Sequence, residues 1–558
     1  MAMHTRRRVE MDTELQNANA YPVPSGITME YGTAGFRAPA CNLPHVMYRM
    51  GLLAVMRARY TREVIGVMVT ASHNPEEDNG VKLMEGMGEM LPVSWERHAT
   101  SFASAHLGEL HTQLSALLRD CPGTESSSPA QKYHVLIGED TRASSKMLAQ
   151  AVSHGVTDLG GTFKNFGLVT TPQLHYLVAS HNSEGLIGEP SLDGYYHKLS
   201  EAYKALMAQS KPQPGNEGSY PLTMDGANGV GAPKMAELLS YMKHSLSVKI
   251  INNGESGKLN HECGADYVKI GQRAPKGLQM REGRIYCSLD GDADRLLYYF
   301  VDKSDTFHLV DGDKISTLMA IFIQHLLKEA QLPFQVSVVQ TAYANGSSTH
   351  YFEETLLLQV YCLPTGVKYL HAKAKECDIG VYFEANGHGT VLFGKRVLDK
   401  VAEIMQDSGR PEAQRAAATQ LYHTSQLINQ AVGDALSDLL AVQMMLSLLD
   451  LSLPQLYALY TDLPSRQLKV KVMDRQRITT TDAERRVTHP DGLQAAIEER
   501  VHRHLQARAF VRPSGTEDMV RVYAEAETQE SADCLAHEVA LLVHRLAGGV
   551  GEEPRAPS

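Results

Sequence analysis

Short apolar runs of β-forming residues stop, again and again, at loops dense in polar side chains, with helix-like stretches beyond. Val64–Thr70 (VIGVMVT) breaks into Ala71-Ser72-His73-Asn74-Pro75, and Val135–Ile137 into Gly138-Glu139-Asp140-Thr141-Arg142. Pro221–Met224 leads into Asp225-Gly226-Ala227-Asn228-Gly229-Val230-Gly231, and Ser337–Gln340 into Thr341. Short strands alternating with helices predict an α/β protein with largely parallel or mixed sheets. Ligands of such sheets gather beyond the carboxyl ends of the strands, where these polar clusters fall. At 558 residues the chain is too long for one core, so three to four domains are expected.

Composition narrows the class. Hydrophobic residues make up 43% and charged residues 21%, the balance of a folded globular chain. A net charge of −11 argues against a nucleic-acid partner and makes any Arg or Lys inside a motif informative. The seven cysteines are scattered singly with no CxxC pair, which suggests neither a zinc site nor a redox motif and fits a reducing compartment. Arg6-Arg7-Arg8 is followed by acidic residues and no apolar stretch, unlike a signal peptide. The longest apolar run, Leu439–Leu449, is bracketed by Asp438 and Asp450, too short for a bilayer, and reads as a buried helix. A cytoplasmic protein is expected, with no membrane or nucleic-acid partner.

Cys121–Ala130 (CPGTESSSPA) and Ser210–Ser219 (SKPQPGNEGS) read as linkers or insertions, and the polar segment Gln406–Ala418 as a join between a third and a fourth domain. The first twenty or so residues read as disordered and the tail from Gly548 as frayed. No repeat is visible.

Four clusters carry chemistry. In Asp290-Gly291-Asp292-Ala293-Asp294-Arg295, three alternating carboxylates lie between the strand-like RIYCSL and LLYYFV. Such crowding repels itself unless a cation sits among the oxygens, and an all-oxygen set suits Mg²⁺. An EF-hand is rejected, because its sixth and twelfth positions hold Arg295 and Val301 rather than Gly and Glu. A solvated acidic turn is the plainer alternative.

Thr70-Ala71-Ser72-His73-Asn74-Pro75 holds Ser72 at a strand end, where Asn-Pro turns the chain. It lacks the glycines of a hydrolase elbow, and a hydrogen-bonded turn is its bland reading. Asn79-Gly80-Val81-Lys82 marks another turn, bringing Lys82 toward the same pocket. Arg512-Pro513-Ser514-Gly515-Thr516-Glu517 puts a guanidinium, two hydroxyls and a glycine in one loop, a nest for a phosphate dianion, with Arg521 as a second cation if it points there. A surface turn with an incidental Arg stays open. Glu384-Ala385-Asn386-Gly387-His388-Gly389 offers carboxylate, amide and imidazole to vicinal sugar hydroxyls, or is a polar hairpin turning at Asn-Gly. Together these supply a nucleophile, a metal site, a phosphate anchor and a polyol reader, suited to one cleft between domains.

With Tyr31–Arg37 (YGTAGFR), Thr70–Lys82 (TASHNPEEDNGVK), Gly138–Arg142 (GEDTR), Asp225–Gly231, Asp290–Arg295, Gly366–Gly389 and Val511–Arg521 in order, the chain resembles the α-D-phosphohexomutase superfamily from Tyr31 to about Ala526. The resemblance implies three related mixed α/β domains and a C-terminal α+β phosphate-binding domain around one central cleft. The expected limits are 1–190, 191–300, 301–425 and 426–558. It implies a reversible mutase of sugar phosphates: phospho-Ser72 gives its phosphoryl group to a sugar monophosphate, and a sugar 1,6-bisphosphate serves as intermediate and activator. Asp290, Asp292 and Asp294 would hold Mg²⁺ with an oxygen on Ser72, and Lys82 would be the general acid and base with Arg37 and His73 assisting. Glu384, Asn386 and His388 would meet the sugar, and Arg512, Ser514, Gly515, Thr516 and Arg521 the other phosphate. Hexose-phosphate mutases tend to show Glu-x-Ser-Gly-His where this chain has Glu-x-Asn-Gly-His, and the Asn form resembles the branch handling N-acetylglucosamine phosphates. A glucose- or mannose-phosphate mutase and a phosphosugar phosphatase are the alternatives. A monomer binding only small phosphosugars is expected.

Overall fold

The structure is a computed structural model that describes residues 15–120, 133–208, 222–243, 245–514 and 518–555. Both expected insertions, Cys121–Ala130 and Ser210–Ser219, lie outside the described residues.

Three of its sheets are mixed and share one plan. In the first, strands Ile65–Val69, His134–Glu139 and Thr162–Leu168 run parallel, and Asp78–Met84 and Phe36–Pro39 extend the sheet antiparallel. In the second, Tyr286–Leu289, Leu222–Asp225 and Val248–Ile251 are parallel, with Leu296–Val301 and Phe307–Val310 antiparallel beyond them. The third pairs Val336–Thr341 in parallel with Gln359–Leu363 and Ile379–Phe383, and closes with antiparallel Gly389–Phe393. In each, one loop joins the last parallel strand to its antiparallel neighbour. Those three loops carry Ser72, Asp290–Asp294 and Glu384–His388. Equivalent topological positions thus deliver three different chemistries to one place, although no repeat shows in the sequence.

The fourth sheet is antiparallel, in the order Ser465–Lys471, Met519–Glu525, Arg508–Pro513, and a separate hairpin pairs Thr479–Thr481 with Arg486–His489. Helix Gln529–Leu546 covers this sheet with an apolar stripe, Leu535, Ala536, Val539, Ala540 and Val543, at helical spacing. The expected buried helix is present as Ala435–Leu448, inside the largest core with Leu439, Leu440 and Met444 fully buried. Truncating such a leucine to alanine costs about 2–5 kcal/mol.

Four expectations are corrected. Asn79-Gly80-Val81-Lys82 does not turn but lies within strand Asp78–Met84. Gly80 serves close approach instead: a Cβ there would meet Phe36 O at 2.3 Å and Thr70 O at 2.6 Å. Gln406–Ala418 is mostly the end of one helix and the start of the next, Glu412–Leu427. Leu15 and Ala18 are buried, and Asn17 donates to Asp158 from its backbone N at 2.9 Å and from Nδ2 at 2.7 Å, so residues from Leu15 onward are folded. The tail is pinned by Met473 N to Gly548 O at 2.9 Å and Val550 N to Lys471 O at 3.0 Å.

Candidate active site

Ser72 is fully buried at a left-handed φ of 52°, sparsely populated for a residue with a Cβ. The strain is held by neighbours from elsewhere in the chain. Arg142 Nη2 donates to the carbonyls of Ser72 and Asn74, both at 2.9 Å, and Asn260 Nδ2 donates to the same two at 2.8 and 3.1 Å. Arg142 is itself fixed by buried Asp140 at 3.0 Å, which also accepts Thr70 Oγ1 at 2.7 Å. With its backbone so clamped, Ser72 Oγ donates to Asp290 Oδ2 at 2.7 Å.

The loop of Asp290 can reach Ser72 only because Gly291 intervenes; a Cβ there would lie 2.5 Å from Ser72 O. Asp290, Asp292 and Asp294 each offer an oxygen within 4.8 Å of the others, all buried. Burial above all, then Asp294 and Asp292, pushes the Asp290 carboxyl well above the usual range. Burial and Asp294 also push Asp292 up, but Lys82, Thr171 and Arg37 bring it below. Burial works on Asp294 in the same sense, and Lys82, His388 and Arg295 outweigh it. Lys82 Nζ stands 3.1 Å from Asp292 and 3.3 Å from Asp294. Arg295 stands farther off, its Nε 3.8 Å from Asp290 and from Asp294, and is shared with Asp266, and the buried Oδ1 atoms of Asp292 and Asp294 have no hydrogen-bond partner. Orphaned, hard, all-oxygen donors in one buried cluster fit Mg²⁺. A solvated acidic turn is excluded by their burial.

Above this floor lies a cavity of about 530 Å³, within the range of small-molecule sites. Its walls bring together Arg37, His73, Lys82 and Asp294 with Glu384, Asn386 and His388 from the third sheet and Arg512 and Arg521 from the fourth. Burial first, then Arg295 and Arg37, hold the His73 imidazole down to about 2, so it is neutral. The Glu384–His388 segment is indeed a hairpin connection, and its side chains nonetheless face the cavity. Asn386 Oδ1 accepts His388 N at 3.0 Å, and His388 Nδ1 lies 2.7 Å from Asp294 O, tying the polyol loop to the acidic loop.

Arg512 and Arg521 are direct cross-strand partners on neighbouring antiparallel strands. Like charges so placed destabilise a sheet unless an anion lies between them or a carboxylate relieves them. Buried Ser514 bonds Met519 O through its backbone N at 2.8 Å and is not among the cavity walls. Gly515 and Thr516 lie outside the described residues.

Sequence reasoning missed several contributors. Thr171 Oγ1 donates to Asp292 at 2.6 Å, and Asn260 and Arg142 brace the serine loop as above. Arg295 Nη1 bridges to Asp266 at 2.7 Å. Only Arg142 and Arg295 stood inside a conspicuous motif. Thr171 and Asn260 sit in ordinary-looking sequence and are found only by folding.

Three mixed α/β units and a C-terminal antiparallel sheet around one cleft define the α-D-phosphohexomutase class, and comparison with family models agrees. Residues 46–106 and 108–188 match "Phosphoglucomutase/phosphomannomutase, alpha/beta/alpha domain I", and residues 468–542 match the C-terminal domain of the same family. Residues 191–297 and 311–451 match "Phosphoacetylglucosamine mutase AMG1", domains II and III. Phosphoacetylglucosamine mutase of Sus scrofa is 52% identical over 98% of this chain and 99% of its own length, and that of Homo sapiens 53% over 95% and 97%. The chain belongs to the phosphoacetylglucosamine mutase family. Among solved structures, an N-acetylglucosamine-phosphate mutase in its substrate complex is 43% identical with a TM-score of 0.90, covering 95% of this chain and 99% of that one. The Aspergillus fumigatus enzyme in complex with GlcNAc-6P and magnesium is 44% identical with a TM-score of 0.88, covering 95% and 98%.

Proposed function

We propose that this chain interconverts N-acetylglucosamine-6-phosphate and N-acetylglucosamine-1-phosphate through a phosphoserine at Ser72 and a sugar 1,6-bisphosphate. The observation carrying the proposal is Ser72 Oγ at 2.7 Å from Asp290 in a strained, clamped turn under a cavity rimmed by Arg512 and Arg521. Asp290, Asp292 and Asp294, with an oxygen on Ser72, would hold Mg²⁺, which when bound supplies positive charge to the phosphoryl group in transfer.

Transfer breaks the Ser72 Oγ–P bond and forms a bond from phosphorus to a free sugar hydroxyl; the hydroxyl proton ends on Ser72 Oγ. The bisphosphate turns over, and the reverse step returns its other phosphoryl group to Ser72. Lys82 Nζ, at the cavity wall, is the proposed relay of that proton, assisted by Arg37 and by neutral His73, whose Nδ1 is 3.4 Å from Ser72 Oγ. Glu384, Asn386 and His388 read the sugar. Arg512, Arg521 and the loop of Ser514, Gly515 and Thr516 take the phosphate that does not react, which serves positioning rather than chemistry.

Four domains are proposed, with the last boundary better drawn between Leu449 and Ser465 than at 425/426. Helices Glu412–Leu427 and Ala435–Leu448 share a core with the second and third sheets, whereas the fourth sheet has its own. Among the described residues no helix is long and apolar enough to cross a membrane. A cytoplasmic, monomeric enzyme is proposed.

Side-by-side kinetics on N-acetylglucosamine-, glucose- and mannose-phosphates test the substrate. Preference for the N-acetyl sugar supports the reading of Asn386; preference for a hexose phosphate keeps the chemistry and overturns that reading. Release of inorganic phosphate without isomerised sugar would make the chain a phosphatase.

A further inference from the structure

One carboxylate beside the phosphate clamp has no part in the scheme above. Glu484 lies in the turn of the hairpin Thr479–Thr481/Arg486–His489, where Asp482, Ala483 and Glu484 have φ of 51°, 52° and 68°. Three successive residues with a Cβ in the left-handed region are costly, and such strain persists only where the surroundings enforce it. Here the turn delivers Glu484 between two domains. Its Oε1 accepts Arg512 Nε at 3.0 Å. Its Oε2 accepts Thr365 N at 2.9 Å and Thr365 Oγ1 at 2.6 Å.

Thr365 belongs to the third domain, in the loop after strand Gln359–Leu363, and with Gly366 it lines the same cavity as Arg512. Glu484 itself is not among the lining residues, so it stands behind the clamp. It takes one of the five donors of the guanidinium, the Nε that points away from the fork of terminal nitrogens. Both side chains of the pair are about four-fifths buried, at 20% and 18% exposure, which limits screening by water. Arg512 also sits opposite Arg521, so without an acceptor behind it the guanidinium would turn away from its like-charged partner.

We propose that Glu484 is a positioning residue of the phosphate clamp: it orients Arg512 toward the cavity and latches the C-terminal sheet to the third-domain loop at Thr365. The proposal rests on the mutase reading, and it assigns the latch a task in that reaction. A bisphosphate that must turn round between two transfers is lost if the domains part, and the Thr365–Glu484–Arg512 bridge joins the two domains at the cavity wall.

The test uses the full-length chain with Glu484→Gln, which keeps shape and removes charge, and Thr365→Val, which removes only the hydroxyl donor. Charge-assisted hydrogen bonds of this kind correspond to about a tenfold effect. Glu484→Gln should raise the KM for the sugar monophosphate about tenfold, and raise about tenfold the added 1,6-bisphosphate needed to sustain turnover, with little change in kcat at saturating activator. Thr365→Val should shift the activator requirement in the same direction. A hairpin with only a structural role would lower the melting temperature without moving the activator requirement. Calorimetric titration with inorganic phosphate reads the clamp without turnover, and Glu484→Gln should bind it about tenfold more weakly. Phosphate binding that is unchanged or tighter, as mere removal of a nearby negative charge would give, overturns the proposal. If the wild type failed to isomerise sugar phosphates while Glu484→Gln still weakened phosphate binding, the mutase reading would fall and the positioning role would stand.

Discussion

Ser72 Oγ donates to Asp290 Oδ2 at 2.7 Å, across 218 residues of chain. Neither residue is costly to the fold by accident: one occupies a left-handed backbone position and the other is a buried carboxylate pushed well above its ordinary range, first by burial and then by its two neighbours. A hydroxyl in contact with the proposed cation site is what transfer of a phosphoryl dianion needs, because the carrier brings about −1.5 to −2 charges at neutral pH.

Ser72→Ala should therefore bring isomerisation below about a thousandth of wild type, as loss of a covalent carrier does. The protein should stay folded, since the bonds that clamp the turn go to backbone carbonyls. Circular dichroism and steady-state assay together check this. Turnover near wild type would remove Ser72 as the carrier.

Asp292→Asn should lower activity by at least the roughly 10- to 100-fold that loss of a residue merely supporting a metal ligand costs, and displace the Mg²⁺ titration to higher concentration. The same change leaves Lys82 and Thr171 facing an amide in place of a carboxylate, so a modest loss of melting temperature should accompany it. An unmoved Mg²⁺ titration would show that the orphaned oxygens of the cluster do not serve a metal.

Arg521→Met tests the paired guanidiniums. Losing a charge-assisted phosphate contact should raise the KM for the sugar phosphate about 10- to 100-fold. Removing a like charge directly across from Arg512 should leave the melting temperature unchanged or slightly higher. An unchanged KM would take Arg521 out of the clamp.

His175 supplies a pH dependence. Burial, above all, holds its imidazole down to about 4, and its Nδ1 lies 2.5 Å from Gly88 O. The unfolded chain, with an ordinary imidazole near 6.5, binds the extra proton between about pH 6.5 and 4. Stability from this group is thus fully present above about 6.5 and falls by about 1.4 kcal/mol per pH unit on acidification through that window. Denaturant melts from pH 7 to 4.5 should show a shallower loss for His175→Gln than for wild type. Parallel curves would mean that His175 is protonated in the fold.

The clusters at Ser72, Asp290–Asp294, Glu384–His388 and Arg512 were legible because each places its chemistry in contiguous residues at a strand end. What supports them was not. Thr171, Asn260 and Glu484 come from distant segments, and a single Thr, Asn or Glu carries no signal until the fold brings it near. The common topology of the three mixed sheets was invisible for a related reason: equivalent strands need only apolar residues, so the repeat survives in hydrogen-bond order and not in letters. Asn79-Gly80 was misread as a turn because the dipeptide signals one locally, whereas Gly80 answers to two carbonyls packed against its Cα.

The most direct measurement is ³¹P NMR of the full-length protein with Mg²⁺, a catalytic amount of sugar 1,6-bisphosphate and N-acetylglucosamine-6-phosphate, run beside Ser72→Ala. The expected result is growth of the 1-phosphate resonance to equilibrium with the wild type and none with the variant. A wild-type spectrum that gains only inorganic phosphate, or a variant that isomerises at the wild-type rate, would contradict transfer through Ser72.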